Sequence, residues 1–165
     1  MSISITQTTD EETLKSFAAM MCRSEPWITL QRNYSDCLES VHGNYKEIYM
    51  ATDNNKLSGF IILQMAGTFK GYIQTICVSP EARGKGIGTA LIQFAENRIF
   101  SVSPNVFMCV SSFNNEAAKL YYQLGYEKIG ELKDFILKGY SEILLRKSTG
   151  TLSEFQSAHY QKEKI

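Results

Sequence analysis

Apolar side chains recur along this chain with two different periods, which together predict a domain that mixes strands and helices. Near the amino terminus, Ile3 and Ile5 alternate with polar residues, which predicts a short strand over residues 2–7. The segment Thr9–Glu12 then fits the S/T-x-x-E capping box that begins many helices. Apolar residues follow it at helical spacing, at Leu14, Phe17, Ala18 and Met21.

The same reasoning predicts the remaining elements. Further strands are expected over residues 47–52, 57–65, 72–78, 106–110, 126–132 and 141–146, and further helices over about 33–41, 87–99 and 115–124. The order β-α-α-β-β-β-α-β-α-β-β indicates one mixed α/β domain over residues 1–150. Residues 151–165 are polar, which predicts a C-terminal tail or a short helix, and their polarity favours the tail.

Composition narrows the possible functions. The chain has 165 residues, with 17 basic and 17 acidic side chains, so no net charge draws it to nucleic acid or an anionic membrane. Its four cysteines form no CxxC pair and only two histidines are present, which argues against a bound metal. The first residues resemble no signal peptide and no apolar run could span a bilayer, so we expect a soluble, cytoplasmic protein.

The segment EARGKGIGTA concentrates three glycines between a predicted strand and a predicted helix. Gly84, Gly86 and Gly88 allow close approach to a helix N-terminus, whose free amides and dipole favour an anion. Arg83 and Lys85 add positive charge, so the segment predicts a pyrophosphate cradle. A glycine-rich turn with solvated basic residues is the alternative. The spacing excludes a P-loop, the GxGxxG dinucleotide fingerprint and the kinase loop.

At this point the sequence resembles a known family. Arg83–Gly88 is similar to the Arg/Gln-x-x-Gly-x-Gly/Ala signature of GNAT-superfamily N-acetyltransferases, and Ile76–Pro80 is similar to its lead-in strand. A second block reproduces the family pattern Asn-x-x-Ala-x-x-x-Tyr-x-x-x-Gly-Phe/Tyr at Asn114, Ala117, Tyr121, Gly125 and Tyr126. The resemblance spans residues 3–147. It implies a mixed, mainly antiparallel central sheet with a splayed pair of parallel strands, flanked by helices.

The resemblance also implies a reaction. It is transfer of the acetyl group of acetyl-CoA, the cosubstrate, to a primary amine of a small molecule or peptide by direct attack in a ternary complex. The positions implied to bind CoA are Ile76, Cys77, Val78, Arg83, Gly84, Lys85, Gly86, Ile87, Gly88, Thr89, Asn114, Ala117 and Tyr121. A CoA-binding sensor or partner-binding module without transfer activity is the alternative. Edge-strand pairing in this family makes a homodimer possible.

Three of these positions are implied to act in the chemistry or beside it. The backbone amide of Val78 would stabilise the oxyanion that develops on attack. Tyr121 would protonate the departing thiolate as general acid, although simple burial on its helix is the alternative. Its neighbour Tyr122 does not fit the spacing to Gly125. Asn114 would bind the pantetheine arm, and asparagine also serves well as a helix N-cap.

The general base is where this sequence departs from its relatives. Many ribosomal-protein acetyltransferases of this family have a glutamate five residues before the motif asparagine, and this chain has Cys109 there. Cys109 is a poor base and suits a small buried hydrophobe. The base could be a water held by Gln74, or Glu25, or the amine could bind already neutral.

The acceptor site is expected near the segment SEPW, between the first two predicted helices. Trp27 would form a wall of that site and Glu25 would hold a cationic amine. The alternative is a helix-breaking loop with Trp27 in the core. Gln74 and Tyr140 are further substrate-binding candidates. Tyr140 lies in the connection between the last two predicted strands.

Overall fold

A computed structural model of the chain describes residues 3–162. The strands are β1 (Ile3–Gln7), β2 (Lys46–Asp53), β3 (Lys56–Gln64), β4 (Tyr72–Val78), β5 (Asn105–Ser111), β6 (Glu127–Lys133) and β7 (Ser141–Ser148). The helices are α1 (Glu11–Met21), α2 (Tyr34–Ser40), α3 (Ile87–Phe100), α4 (Asn115–Gln123) and α5 (Leu152–Lys162). The predicted order of elements is confirmed, with ends that differ by a residue or two.

One mixed sheet joins all the strands in the order β1-β2-β3-β4-β5-β7-β6. Every neighbouring pair is antiparallel except β4 and β5, which are parallel and pair only at Tyr72 with Phe107 and at Ile73 with Met108. Beyond those pairs the two strands diverge. The predicted sheet with a splayed parallel pair is therefore confirmed.

A β-bulge explains where the strands separate. On β3, Ile62 pairs with Thr75 but Leu63 pairs with Ile73, so Gln74 is an extra residue in β4. A bulge bends its strand and increases the local twist. Because the bulge follows directly on the last β4–β5 pair, it turns β4 away from β5 and opens a gap in the middle of the sheet.

Helices cover both faces of the sheet. One core lies under α3 and α4 and contains the fully buried Leu91, Ile92 and Leu145. The other lies under α1 and α2, where the rings of Phe17 and Phe60 stack with centroids 4.2 Å apart. Since successive strand residues point to opposite faces, these two cores fix which side chains of β4, β5 and β7 face each helical layer.

Two helix boundaries differ from the sequence predictions. The N-cap of α1 is Asp10, whose side chain accepts a hydrogen bond from the backbone N–H of Thr13, and not Thr9. Residues 152–162 form α5 where the polar composition favoured a tail. The α5 helix begins with a capping box, because the Thr151 hydroxyl accepts from Glu154 N–H while the Glu154 carboxylate accepts from Thr151 N–H.

Candidate active site

The gap between β4 and β5 opens into a cleft of about 840 Å³. Its walls come from the two splayed strands, the glycine-rich segment before α3, and the first turns of α4. The loop after α1 and the β6–β7 connection, through Phe135 and Ile136, complete the lining. Residues from distant parts of the sequence therefore meet around one elongated space.

The glycine-rich segment has the geometry of an anion cradle. Gly84 and Gly86 adopt left-handed conformations with φ of 72° and 79°, which favour glycine, and Gly86 is the N-cap of α3. A Cβ atom on either glycine would meet nothing within 4 Å, so this side of the segment is open. The first residues of α3 (Ile87, Gly88 and Thr89) line the cleft, and Arg83 adds a positive charge beside them. These features suit a pyrophosphate.

Most of the residues predicted to bind a donor or an acceptor line this cleft. They are Glu25, Trp27, Gln74, Ile76, Cys77, Val78, Arg83, Gly84, Gly86, Ile87, Gly88, Thr89, Asn114, Ala117 and Tyr121. Two predicted residues do not line it. The exposed Lys85 lies in the cradle segment outside the lining, and the ring of Tyr140 packs edge-on against Phe113, whose own side chain reaches the cleft.

Every second residue of β4 directs its backbone N–H and C=O groups into the gap. The N–H of Ser79 donates to the carbonyl of Ser58, so these two residues form a hydrogen-bonded antiparallel pair. Counting back along β4 from Ser79, every second residue forms such a pair with β3. The register then directs the N–H and C=O groups of Ile76 and Val78 away from β3 and toward β5. Cys77 is directed toward β3, and its side chain is buried in the core under α1 and α2. The N–H groups of Ile76 and Val78 can therefore bind a ligand, whereas the Val78 carbonyl accepts a hydrogen bond from Nε of Arg83 at 3.3 Å and the backbone of Cys77 faces β3.

Tyr121 lies on the opposite side of the gap, on α4. It is only 7% exposed, belongs to the core under α3 and α4, and packs edge-on against Tyr126 with ring centroids 6.3 Å apart. Burial raises the pKa of Tyr121 to about 12, so its phenol is protonated at neutral pH. The side chain is buried on its helix and also borders the cleft, and its role as general acid stays a prediction.

Asn114 begins the helix that carries Tyr121. Its side-chain oxygen accepts a hydrogen bond from the backbone N–H of Ala117 at 3.4 Å, which makes it the N-cap of α4. Asn114 also lines the cleft. The capping role is therefore established, and it fixes the direction in which α4 leaves the cleft.

The predicted acceptor residues of the loop after α1 and of β4 line the same cleft. Glu25 is exposed at the rim, and its carboxylate accepts a hydrogen bond from the N–H of Thr29 at 3.2 Å. Trp27 is partly buried, because it both lines the cleft and packs against the core under α1 and α2. The amide nitrogen of Gln74 donates to the carbonyl of Ser40 at the end of α2.

The structure adds a carboxylate that the sequence reasoning missed. Glu142 lies at the start of β7, lines the cleft and is only 5% exposed. The hydroxyl of Ser111, its partner on β5, donates to its Oε1 at 2.6 Å. Burial raises the pKa of Glu142 and outweighs the hydrogen bond from Ser111, which lowers it. Nothing in the local sequence marks this residue; only the pairing of β7 with β5 brings it to the cleft.

Cys109 of β5 shares a face of the sheet with Glu142 of β7, because Ser111, two residues along β5, is the direct partner of Glu142. Burial raises the pKa of its thiol, and the charge of Glu142 adds to that effect. Tyr72 of β4 faces the same group, and its pKa is raised by burial first and then by Cys109 and Glu142. Cys109 is therefore protonated at neutral pH, which agrees with its expected behaviour as a poor base.

Among residues 3–162, no group of three or more His, Cys, Asp or Glu side chains is placed to hold a metal ion. Within the same range, no helix has both the length and the apolar character needed to cross a membrane.

Comparison with known proteins agrees with this geometry. The profile of the acetyltransferase (GNAT) family matches residues 11–126. An uncharacterized N-acetyltransferase of Methanocaldococcus jannaschii is 32% identical over 101 residues, which cover 60% of this chain and 64% of that protein. The chain spans less than two thirds of the length of the curated relatives it matches.

Solved structures share the fold over nearly the whole chain. The ribosomal-protein-S18-alanine N-acetyltransferase of Escherichia coli superposes with a TM-score of 0.72 at 17% identity, covering 91% of this chain and 96% of its own. An aminoglycoside 6'-N-acetyltransferase complexed with coenzyme A gives 0.71 at 15% identity, covering 92% and 98%. The family match spans both the cradle and the helix of Tyr121, and the sheet splays between them, so the chain belongs to the acetyltransferase (GNAT) family.

Proposed function

We propose that this protein transfers the acetyl group of acetyl-CoA to a primary amine of a small molecule or peptide. The observation that carries the proposal is the arrangement around the splayed strands. The anion cradle lies at one end of the gap, the outward-facing amide of Val78 on one side and the phenol of Tyr121 on the other. Family membership supports acyl transfer.

The chain's own groups suit the donor. The open glycine segment and the first amides of α3 would hold the pyrophosphate, and Arg83 would add charge. Backbone groups of Ile76 and Val78 would pair with the pantetheine arm in place of the missing β5 partner, with Asn114 near the same arm. Bound there, acetyl-CoA supplies an activated acyl group. A neighbour with this fold, an aminoglycoside 6'-N-acetyltransferase, was solved in complex with coenzyme A, which supports a CoA thioester as the donor.

The chemistry then needs two further contributions from the protein. The N–H of Val78 would stabilise the negative charge that develops on the thioester oxygen. Tyr121 would donate its proton to the sulfur as the carbon–sulfur bond breaks, because burial keeps the phenol protonated. The amine would attack directly while both substrates are bound, since the loop after α1 lines the same cleft as the glycine-rich segment.

The acceptor end is acidic and aromatic. Glu25 at the rim would hold a cationic amine, while Trp27 and the partly apolar β6–β7 connection would contact the carbon skeleton that bears it. Neighbours with this fold include N-acetyltransferases named for an alanine of a ribosomal protein and for an aminoglycoside. Both are amine acceptors, so they support the class of acceptor without selecting one.

A CoA-binding module without transfer activity was the alternative function, and it rested on the lack of an evident base. Glu142 weakens that argument, because a buried carboxylate now lies in the cleft. The test is release of CoA thiol from acetyl-CoA with a panel of a polyamine, an aminoglycoside and peptides with free amino termini. Thiol release that depends on an amine supports the transferase. Tight CoA binding with no amine-dependent release would leave only the module.

A further inference from the structure

The proposed reaction requires a group that removes a proton from the attacking nitrogen. An alkyl ammonium has a pKa of about 10, so most of the acceptor is protonated at neutral pH. Neither β4 nor β5 carries an acidic residue. The base must therefore come from elsewhere in the cleft, and three side chains cluster on one face of the sheet there: Tyr72, Cys109 and Glu142.

The face on which Glu142 lies suits a base. Its neighbours Ile143 and Leu145 pack into the core under α3 and α4, so alternation directs Glu142 to the opposite face. Tyr121 lies on the α3 and α4 side. An amine that enters beside Glu142 would therefore attack from one side of the gap while the sulfur departs toward the other.

The position along the sheet is also suitable. Ile76 and Ser111 both lie beyond the last β4–β5 pair, on the two strands that border the gap, and both line the cleft. Glu142 is the direct partner of Ser111 on the next strand. The carboxylate therefore lines the same cleft as the backbone groups of Ile76 and Val78 that would hold the acyl end of the donor.

We propose that Glu142 is the general base, accepting the proton that the acceptor nitrogen loses as it attacks the thioester. The inference rests on the proposed function. The acceptor ammonium first loses one proton to solvent, which gives the neutral amine. In the step itself the carbon–nitrogen bond forms, the second proton of the nitrogen passes to the Glu142 carboxylate and the carbon–sulfur bond breaks. Tyr121 gives its proton to the sulfur. Solvent then carries the proton from Glu142 to the Tyr121 phenolate, which restores both groups.

The surrounding titratable groups favour Glu142 for this role. From β4, Tyr72 faces it, and from β5, Cys109; both have raised pKa values and hold their protons at neutral pH. From β6, its partner is the apolar Leu132. Across the cleft, Glu25 is engaged by Thr29 within its own loop. Within this cluster, burial raises the pKa of Glu142 toward the range in which a general base works best.

Ser111 acts as a positioning residue in this scheme. Its hydroxyl holds one carboxylate oxygen at 2.6 Å, which leaves the other to accept a proton. That hydrogen bond also lowers the pKa of Glu142. We expect Ser111→Ala to move the acid limb of the kcat/KM profile to higher pH. A purely structural role for Ser111 would leave that limb in place.

The decisive variant is Glu142→Gln, which keeps the shape and can still accept from Ser111. With an amine that the wild type acetylates, kcat/KM at neutral pH should fall by about 100- to 10,000-fold, the usual contribution of a general base. The matched control is Glu127→Gln, a change of the same type at an exposed position of the same hairpin, which should leave kcat/KM unchanged. The affinity for CoA should be the same in both variants.

A second readout needs no turnover. Because burial raises the pKa of folded Glu142 above its unfolded value, its ionisation costs stability as pH rises through the folded pKa. Glu142→Gln removes that cost. Its free energy of unfolding should therefore exceed the wild-type value at mildly alkaline pH, and this advantage should disappear in acid, where the wild-type carboxyl is neutral.

The outcomes separate the two proposals. If the wild type transfers acetyl groups and Glu142→Gln retains kcat/KM within about threefold, Glu142 is not the base and the proposed function stands. A raised KM with unchanged kcat would make Glu142 a binding group and also overturn the inference. Failure of the wild type to acetylate any amine would overturn both proposals. A large loss of kcat/KM together with the pH-dependent gain in stability supports the base.

Discussion

Replacement of Tyr121 by phenylalanine tests the acid half of the proposed mechanism. The change removes one hydroxyl and keeps the ring, so the edge-on contact with Tyr126 is preserved. A general acid contributes about 100- to 10,000-fold to a rate, which corresponds to about 3–5 kcal/mol of activation free energy. Because this proton moves only in the transition state, we expect kcat to fall by that factor and KM to change little.

The neighbouring tyrosine supplies a matched control. Tyr122 lies on the same helix but is 47% exposed, whereas Tyr121 is 7% exposed. Tyr122→Phe should therefore leave kcat, KM and the affinity for CoA unchanged. The two variants are compared by their steady-state rates of thiol release. Calorimetry gives their affinities for CoA, and urea unfolding checks that both are folded.

The pKa of Tyr121 adds a further check. Burial raises that pKa to about 12, so the wild-type phenol should hold its proton through neutral and mildly alkaline pH. Loss of the Tyr121 proton should therefore lower the wild-type kcat only above about pH 11. Any decline in kcat at lower pH should persist in Tyr121→Phe. The reasoning is wrong if Tyr121→Phe keeps kcat within about threefold of the wild type, or if Tyr122→Phe loses as much.

Three further predictions follow from the backbone and the cleft rim. Gly86 and Gly67 both have a left-handed backbone and open space where a Cβ atom would lie, so alanine at either position should lower stability by about 1–2 kcal/mol. Only Gly86→Ala should also weaken CoA binding in calorimetry. Gly71→Ala should lose about 2–5 kcal/mol in urea unfolding, because its Cβ would lie 2.7 Å from the carbonyl oxygen of Asn105; a loss no larger than that of Gly67→Ala would contradict this. Glu25→Gln should raise KM for a cationic acceptor and leave CoA affinity unchanged, and an unaltered KM would remove Glu25 from the acceptor site.

The sequence was sufficient for features that depend on local spacing. The alternation of apolar residues indicated the strands, and three glycines between a strand and a helix indicated the cradle. Gly84 and Gly86 do adopt positive φ angles, as that interpretation required. The Thr151 and Glu154 pair was equally readable as a capping box, and attention to it would have predicted α5 in place of a tail.

Features that depend on strand order were beyond reach of the sequence. Glu142 alternates with apolar residues like any outward-facing residue of a half-buried strand, and 31 positions separate it from Ser111. Only the insertion of β7 between β5 and β6 turns that outward face into the wall of a cleft. The bulge at Gln74 is likewise set by the pairing of β3 with β4, and no residue pattern within β4 predicts it.

The central claim is that an amine attacks the donor directly while both lie in the cleft between β4 and β5. The most direct test measures initial rates while the concentrations of acetyl-CoA and of an amine that the protein acetylates are both varied. CoA thiol and N-acetylated product are recorded together. The account predicts equal amounts of both products and reciprocal plots that converge, as expected for a ternary complex. Parallel plots, or thiol release without N-acetylated amine, would contradict it.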